Sequence, residues 1–412
     1  LILSYLQKVP LWMYTEREVD CVKLLYELRT FYKKEKFSAI MLFLIAFASQ
    51  FFVAYFWGTY RDCVAQVDIL NKYLDKNTAV GVTFNINNYD KIPEIKEKLL
   101  ILESVEAVIA PESFFLKTGS ETEILLYSQE MWRYAPVTES STFYTYSNNG
   151  KSLPECILFG NVYETYNVGD VIDLPLAQET IKCIVSETVR EEADYLSLNM
   201  SSTKLSAYEL FENKGMVFIK EDDNVNKHIR QNTSLNFVIV YKEDAEAKDK
   251  EQIKDLLNDF SYSLVSYEEI YDNTKQVAEN LLQEKIPAPL FFSIIGMFSC
   301  FSISLVFIMR KMQEITIKCL VGCSRLRSVL TSIVFVAIPG IASLVLNFVI
   351  WYFYPVLSDL NIISIGSFLI NESLYVFLLI EYILILMFEI IAILLTYKGK
   401  TLVKLLKDFA KR

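Results

Sequence analysis

Two carboxylates stand where hydrocarbon is expected. Glu381 and Glu389 fall inside the apolar run Ser373–Leu395, eight positions apart and therefore about 80° around a helix. A carboxylate in hydrocarbon costs several kcal/mol, so each must be neutral or paired. Two arrangements satisfy that condition. One is a polar patch at a seam between copies, or a relay of motion. The other is a protonated side chain hydrogen-bonded to a neighbouring helix. Asn347, in the apolar run Val329–Trp351, is the candidate partner. Other chemistry is sparse. His228 is the only histidine, which leaves nothing for a Ser/His pair or a histidine-rich metal site. No Gly-x-Ser-x-Gly occurs. Gly150-Lys151-Ser152 and Gly399-Lys400-Thr401 resemble the end of a phosphate-binding loop, but Thr145 and Leu394 replace the upstream glycine. Glu221-Asp222-Asp223 reads as a solvated turn rather than a calcium loop. The chain is expected not to be an enzyme and to bind no cofactor or metal of its own.

The elements that must hold those carboxylates are long apolar helices. Four runs, Ser38–Tyr55, Leu290–Met309, Val329–Trp351 and Ser373–Leu395, approach or exceed the ~20 residues a helix needs to cross a bilayer. The spans are set at 38–58, 290–309, 328–354 and 373–396. An apolar fraction of 52% fits this reading. The first span reads as an uncleaved anchor, because its amino flank and apolar core are both long for a signal peptide. Lys and Arg mark the side that resists translocation. Segment 1–37 carries 7 Lys+Arg against 5 acids, the loop 310–327 carries five basic residues against Glu314, and the tail 397–412 is basic. The loop 355–372 has none. Both termini and the 310–327 loop are therefore expected in the cytoplasm, and segment 59–289 outside. That outer segment holds 22 basic and 39 acidic residues, which argues against nucleic acid as a partner. Segment 1–37 includes an amphipathic helix, 13–36, laid along the bilayer surface.

Within 59–289 the pattern changes period. Residues 77–110 read as strand, helix, strand, and residues 235–267 repeat that order. Between them, 111–234 is rich in short β-type runs. Helical stalks, 59–76 and 268–285, lead out of the first span and into the second. Pro287 and Pro289 kink the entry. The fold class is an α-helical membrane protein with four transmembrane helices. An α+β extracytoplasmic domain, two βαβ units with an inserted β subdomain, lies between the first and second. Of the seven cysteines, Cys63, Cys156 and Cys183 fall outside, where a disulfide can persist. Cys156 and Cys183 are the candidate pair, with free thiols as the alternative.

One stretch carries an identification. After the second span comes Arg310-Lys311-Met312-Gln313-Glu314-Ile315-Thr316-Ile317-Lys318-Cys319-Leu320-Val321-Gly322-Cys323-Ser324-Arg325. This resembles the cytoplasmic loop of the FtsX/MacB family of ABC-transporter permeases, where a basic pair precedes Glu-Ile and a Gly-small-Ser-basic turn follows eight residues after the Glu. Glu314, Ile315, Ile317, Gly322, Ser324 and Arg325 match. Thr316 replaces the usual Gly, and Cys319 stands where a basic residue is common. Physically the stretch suits a coupling helix: Ile315, Ile317 and Leu320 would fill a groove on a partner, and Gly322 would allow the turn that ends it.

The resemblance covers nearly the whole chain and implies a plasma-membrane permease of a bacterium. Its partners would be two copies of an ATPase subunit, which would bind ATP and Mg, and a second permease as homodimer or heterodimer. It implies that ATP-driven movement is passed to the outer domain for export of peptides, antibiotics or lipoproteins. Two rivals remain open within it: an FtsX-like regulator that activates a cell-wall hydrolase, and a sensor subunit for antimicrobial peptides. An extracytoplasmic adaptor or the hydrolase would then be a further partner.

Overall fold

The computed structural model describes residues 28–398 apart from 31, 86–90, 111, 116–122, 135–136, 138–152, 161, 163–165, 176–179, 191–192, 199–203, 221–235, 322–323, 355–356 and 358–368. The expected surface helix 13–36 lies largely outside the described residues. So do His228, the 221–223 turn, most of the 355–372 loop and nearly all of the tail. In chain order the elements are α1 (Lys36–Tyr73), β1 (Thr78–Val82), α2 (Ile92–Leu100), β2 (Val105–Ile109), β3 (Glu112–Phe115), β4 (Glu123–Tyr127) and α3 (Gln129–Tyr134). Then come β5 (Glu155–Phe159), β6 (Val171–Pro175), β7 (Thr180–Val189), β8 (Ala193–Leu196), α4 (Ala207–Leu210), β9 (Phe211–Lys214) and β10 (Met216–Lys220). The last are β11 (Phe237–Tyr241), α5 (Ala247–Asp259), β12 (Ser263–Ser266), α6 (Tyr267–Lys285), α7 (Pro287–Leu320), α8 (Arg325–Tyr352) and α9 (Glu372–Tyr397). They form two compact units: Leu1–Cys63 with Leu281–Arg412, and Val64–Asn280.

The first unit is the membrane unit. Four helices, α1, α7, α8 and α9, are long and apolar enough to cross a bilayer. Two of them run well past the expected span limits. At ~1.5 Å per residue, the 38 residues of α1 and the 34 of α7 exceed the hydrocarbon thickness. The reason is local: no proline or glycine falls between Gly296 and Leu320, so α7 continues through 310–320, and the expected 310–327 loop shrinks to the few residues before Arg325. Pro287 is the first residue of α7, where its missing N–H costs nothing. Ser324 caps α8 by accepting a hydrogen bond from the Arg327 N–H at 3.2 Å.

Aromatic stacking and small residues hold the bundle together. Phe335 of α8 stacks on Phe307 of α7, with centroids 4.1 Å apart, and on Tyr32 at 4.6 Å. Trp57 of α1 stacks on Phe377 of α9 and donates to Ser373 Oγ at 2.9 Å. Gly296 lets α7 approach α1. A Cβ there would sit 2.7 Å from the Ser49 Cβ, well inside contact distance.

The second unit contains a four-stranded sheet in the order β12-β1-β11-β2 and a six-stranded sheet in the order β3-β4-β10-β5-β7-β6. In the first, every neighbouring pair is antiparallel, so β1 runs parallel to β2, and β11 parallel to β12. Each strand–helix–strand segment therefore encloses a strand of the other. Helices α2 and α5 cover one face through Ile95, Leu99, Ile253 and Leu257. The opposite face, with Val80, Val82, Val238 and Val240, joins a core that includes Leu70 and Tyr73 of α1 and Ile270 of α6. With both faces covered, β1 and β11 are buried at every position, and their sequences read as unbroken apolar runs rather than alternating ones. In the six-stranded sheet alternation holds: Leu125, Ile157 and Phe218 face one core, and Ile124, Cys156 and Val217 face another.

Candidate functional site

The stretch from Lys311 to Leu326 places its residues on two faces. Its inward face is charged. Lys311 is buried, with Nζ 3.1 Å from Glu314 Oε2 and 3.6 Å from Glu35 Oε1. Lys34 Nζ lies 4.0 Å from Glu314 Oε1. Glu35 directly precedes α1, so this network fastens the start of α1 to the far end of α7. Glu314, expected to reach a partner, is engaged within its own chain. Ile315 corrects the sequence reading more sharply. It is only 5% exposed and packs in the bundle core, so it cannot fill a groove elsewhere; its helical phase matches that of Met312 and Ile308, which also point inward.

The outward face is apolar. Ile317 is 53% exposed, Val321 84% and Leu326 70%. Val321 and Leu326 were missed because each borders the expected turn rather than the helix repeat. Ser324 and Arg325 begin α8. Leu320 lies in the last turn of α7, whereas Gly322 and its turn lie outside the described residues.

Within the bundle, the buried face of α9 runs through Leu374, Leu378, Glu381, Ile385, Glu389 and Ala392. Both carboxylates thus face inward along a single stripe, not toward a second copy. Glu381 Oε1 lies within hydrogen-bond distance of Ser49 Oγ of α1, at 2.8 Å, and of Ser293 Oγ of α7, at 3.0 Å. Asn347 is not their partner. Its Nδ2 donates to Gln50 Oε1 at 3.2 Å and to the carbonyls of Phe47 and Ser343. Glu381 and Asn347 therefore belong to separate polar groups, one joining α9, α1 and α7, the other joining α8 to α1. Ser49 and Ser293 were the missed members; small hydroxyl residues inside apolar runs are the signal that marks such helix contacts.

Cys156 and Cys183 are free thiols, which corrects the candidate disulfide. The register explains it. In the parallel pairing of β5 with β7, Cys156 lies opposite Val185, so Cys183 is displaced by two residues along the ladder, and diagonal neighbours sit too far apart for a bridge. Burial raises both thiols, Cys183 to about 12. Tyr241, also buried, is pushed up to about 12. A group held neutral in the folded state favours folding below its unfolded value and loses that contribution as pH rises toward its folded one. From these groups we expect no contribution to pH dependence below about 8.5 and a progressive loss of stability of the second unit above it. In the native protein at pH 8, these two thiols should react with a maleimide more than about 100-fold more slowly than in denaturant. Equal rates would show that the sheet opens readily.

No family model matches this chain, and no curated protein does. Among solved structures, the chain is similar to the periplasmic region of MacB from Actinobacillus actinomycetemcomitans. The identity is 10%, the match covers 50% of this chain and 93% of that one, and the TM-score is 0.30.

Proposed function

We propose that this chain is the membrane subunit of an ABC transporter, docked through the α7–α8 junction to a separate ATPase that binds ATP and Mg. The observation that carries the reading is the two-faced junction: an apolar outward surface of Ile317, Val321 and Leu326 on a helix end anchored from within by Lys311. Exposed apolar side chains on a helix end pinned from within by charge suit a docking surface. The Glu314–Arg325 resemblance to FtsX/MacB permeases and the basic flanks support the same side assignment, with both termini and the junction in the cytoplasm of a bacterium and the acidic sheet domain outside.

Two copies of the chain, or this chain and a second permease, would work with two ATPase copies. Closure of the ATPases would move the junctions, and the long helices α1 and α6–α7 would carry that motion toward the sheet domain. Export of peptides, antibiotics or lipoproteins is the role this mechanism serves. Continuous helices support it, since α1 runs unbroken from Lys36 to Tyr73 and α6 meets α7 at Ile286 beside Pro287.

The test is the pair V321D/L326D. It is expected to abolish co-purification of an ABC ATPase subunit from the native membrane while leaving the protein membrane-inserted and its thermal unfolding unchanged. Full retention of the ATPase would remove the junction from consideration as the docking surface.

A further inference from the structure

We propose that Glu381, Ser49 and Ser293 form a proton-binding site where α9, α1 and α7 meet. The argument is a count of protons. Three close oxygen contacts exist: Ser49 Oγ to Glu381 Oε1 at 2.8 Å, Ser293 Oγ to Glu381 Oε1 at 3.0 Å, and Ser49 Oγ to the Ser293 carbonyl at 3.2 Å. Two hydroxyls supply two protons. Both could be spent on an ionised carboxylate, but the single Ser49 hydrogen would then have to be shared between Oε1 and the Ser293 carbonyl. A third proton, carried on Oε1, completes the set. Glu381 O–H donates to Ser49 Oγ, Ser49 O–H donates to the Ser293 carbonyl, and Ser293 O–H donates to a remaining lone pair of Oε1.

The surroundings favour the neutral form. Among the described residues, no lysine or arginine pairs with Glu381; the buried Lys311 is engaged by Glu35 and Glu314. The titratable groups nearby are Cys300 on α7, which interacts with both Glu381 and Glu389, and Tyr32 and Tyr382 beside Glu389. None supplies a positive charge. From α8 come Asn347 and Ser343, both bonded to Gln50 of α1. The approach of Gly296 to Ser49, where an added Cβ would lie at 2.7 Å, holds α7 close against α1 beside the site. The bound proton is therefore what lets three helices share one polar joint in hydrocarbon. If α1 parts from α7, water entering the gap takes the proton and Glu381 is left as a hydrated carboxylate.

The site does not rest on the transport reading, and the chain alone tests it. Infrared spectra of the full chain in lipid nanodiscs at neutral pH, with and without sodium, should show a carboxylic C=O band in both buffers. In E381Q that band should be lower by the intensity of a single carboxyl, with E389Q measured beside it to assign the other buried carboxyl. S49A and S293A should keep the band and shift its frequency, since each removes one hydrogen bond to the carboxyl, and they keep the test decisive if E381Q fails to fold. A band of unchanged intensity in E381Q overturns the proposal, as do S49A and S293A spectra indistinguishable from wild type. Loss of the Glu381 band on adding sodium also overturns it, by making the occupant a metal cation.

Discussion

Gly296→Leu is expected to unseat α1 from α7 and to produce the largest stability loss of any single substitution in the membrane unit. The first atom of a new side chain already falls 2.7 Å from the Ser49 Cβ. That atom is fixed to the α1 backbone and cannot swing aside, so relief requires moving a whole helix. Overpacking of this kind costs about 3 kcal/mol. The same shift would pull Ser49 from Glu381 and Ser293, adding the loss of two buried hydrogen bonds. Gly296→Ala should show a smaller version of the same effect, because the shift needed is smaller. Thermal unfolding in detergent measures both. A melting temperature for Gly296→Leu within a degree of wild type would mean that α1 and α7 are not in contact in the membrane.

Lys311→Met should be the second most damaging change. Methionine matches the lysine stem in volume and lacks only its charge, so packing is nearly preserved. What remains is Glu35 and Glu314 brought together, with only the more exposed Lys34, 4.0 Å from Glu314, near them. Removing one partner of a buried ionic group costs about 3 kcal/mol, more than the intact group contributes, because the remaining charges stay desolvated. The signature is coupling: adding Glu35→Gln to Lys311→Met should recover about 1 kcal/mol or more, whereas Glu35→Gln alone should destabilise. Additive effects in the double mutant would mean that the two side chains do not meet. Because Lys311 is buried, its contribution should also change little between low and physiological salt, unlike that of the exposed Lys98–Glu94 pair.

Much of this was legible in the chain. Four apolar runs specify four long helices because a helix satisfies its own backbone hydrogen bonds in lipid. The ends of the helices were not legible. Apolar length sets where lipid begins and ends, but helix propensity sets where the helix stops, and nothing in Arg310–Leu320 opposes it. Side-chain direction in the site was legible only in part. Glu381 and Glu389 stood out because a charge in an apolar run is rare, whereas Ser49, Ser293 and Gly296 are common in such runs and acquire meaning only when their helices touch. Ile315 was misjudged because a short motif at a helix end carries no period long enough to fix which face looks inward. The state of Cys156 and Cys183 stayed open in the sequence because register, not membership of the same sheet, decides which residues can bond.

The interleaving of the four-stranded sheet sets a timetable for synthesis. Among the described residues, strand β1 pairs only with β11 and β12, and β2 only with β11; the two strands made first do not pair with each other. Until Phe237–Tyr241 emerges, the apolar segments Thr78–Val82 and Val105–Ile109 have no ladder to join. At ribosomal rates of 5–20 residues per second, the wait is on the order of ten seconds, far longer than the microseconds in which an adjacent hairpin closes. Throughout that interval the nascent chain presents two sticky edges to any neighbour. A cell making this protein must either shield them with a holding chaperone or accept that the yield falls as expression rises.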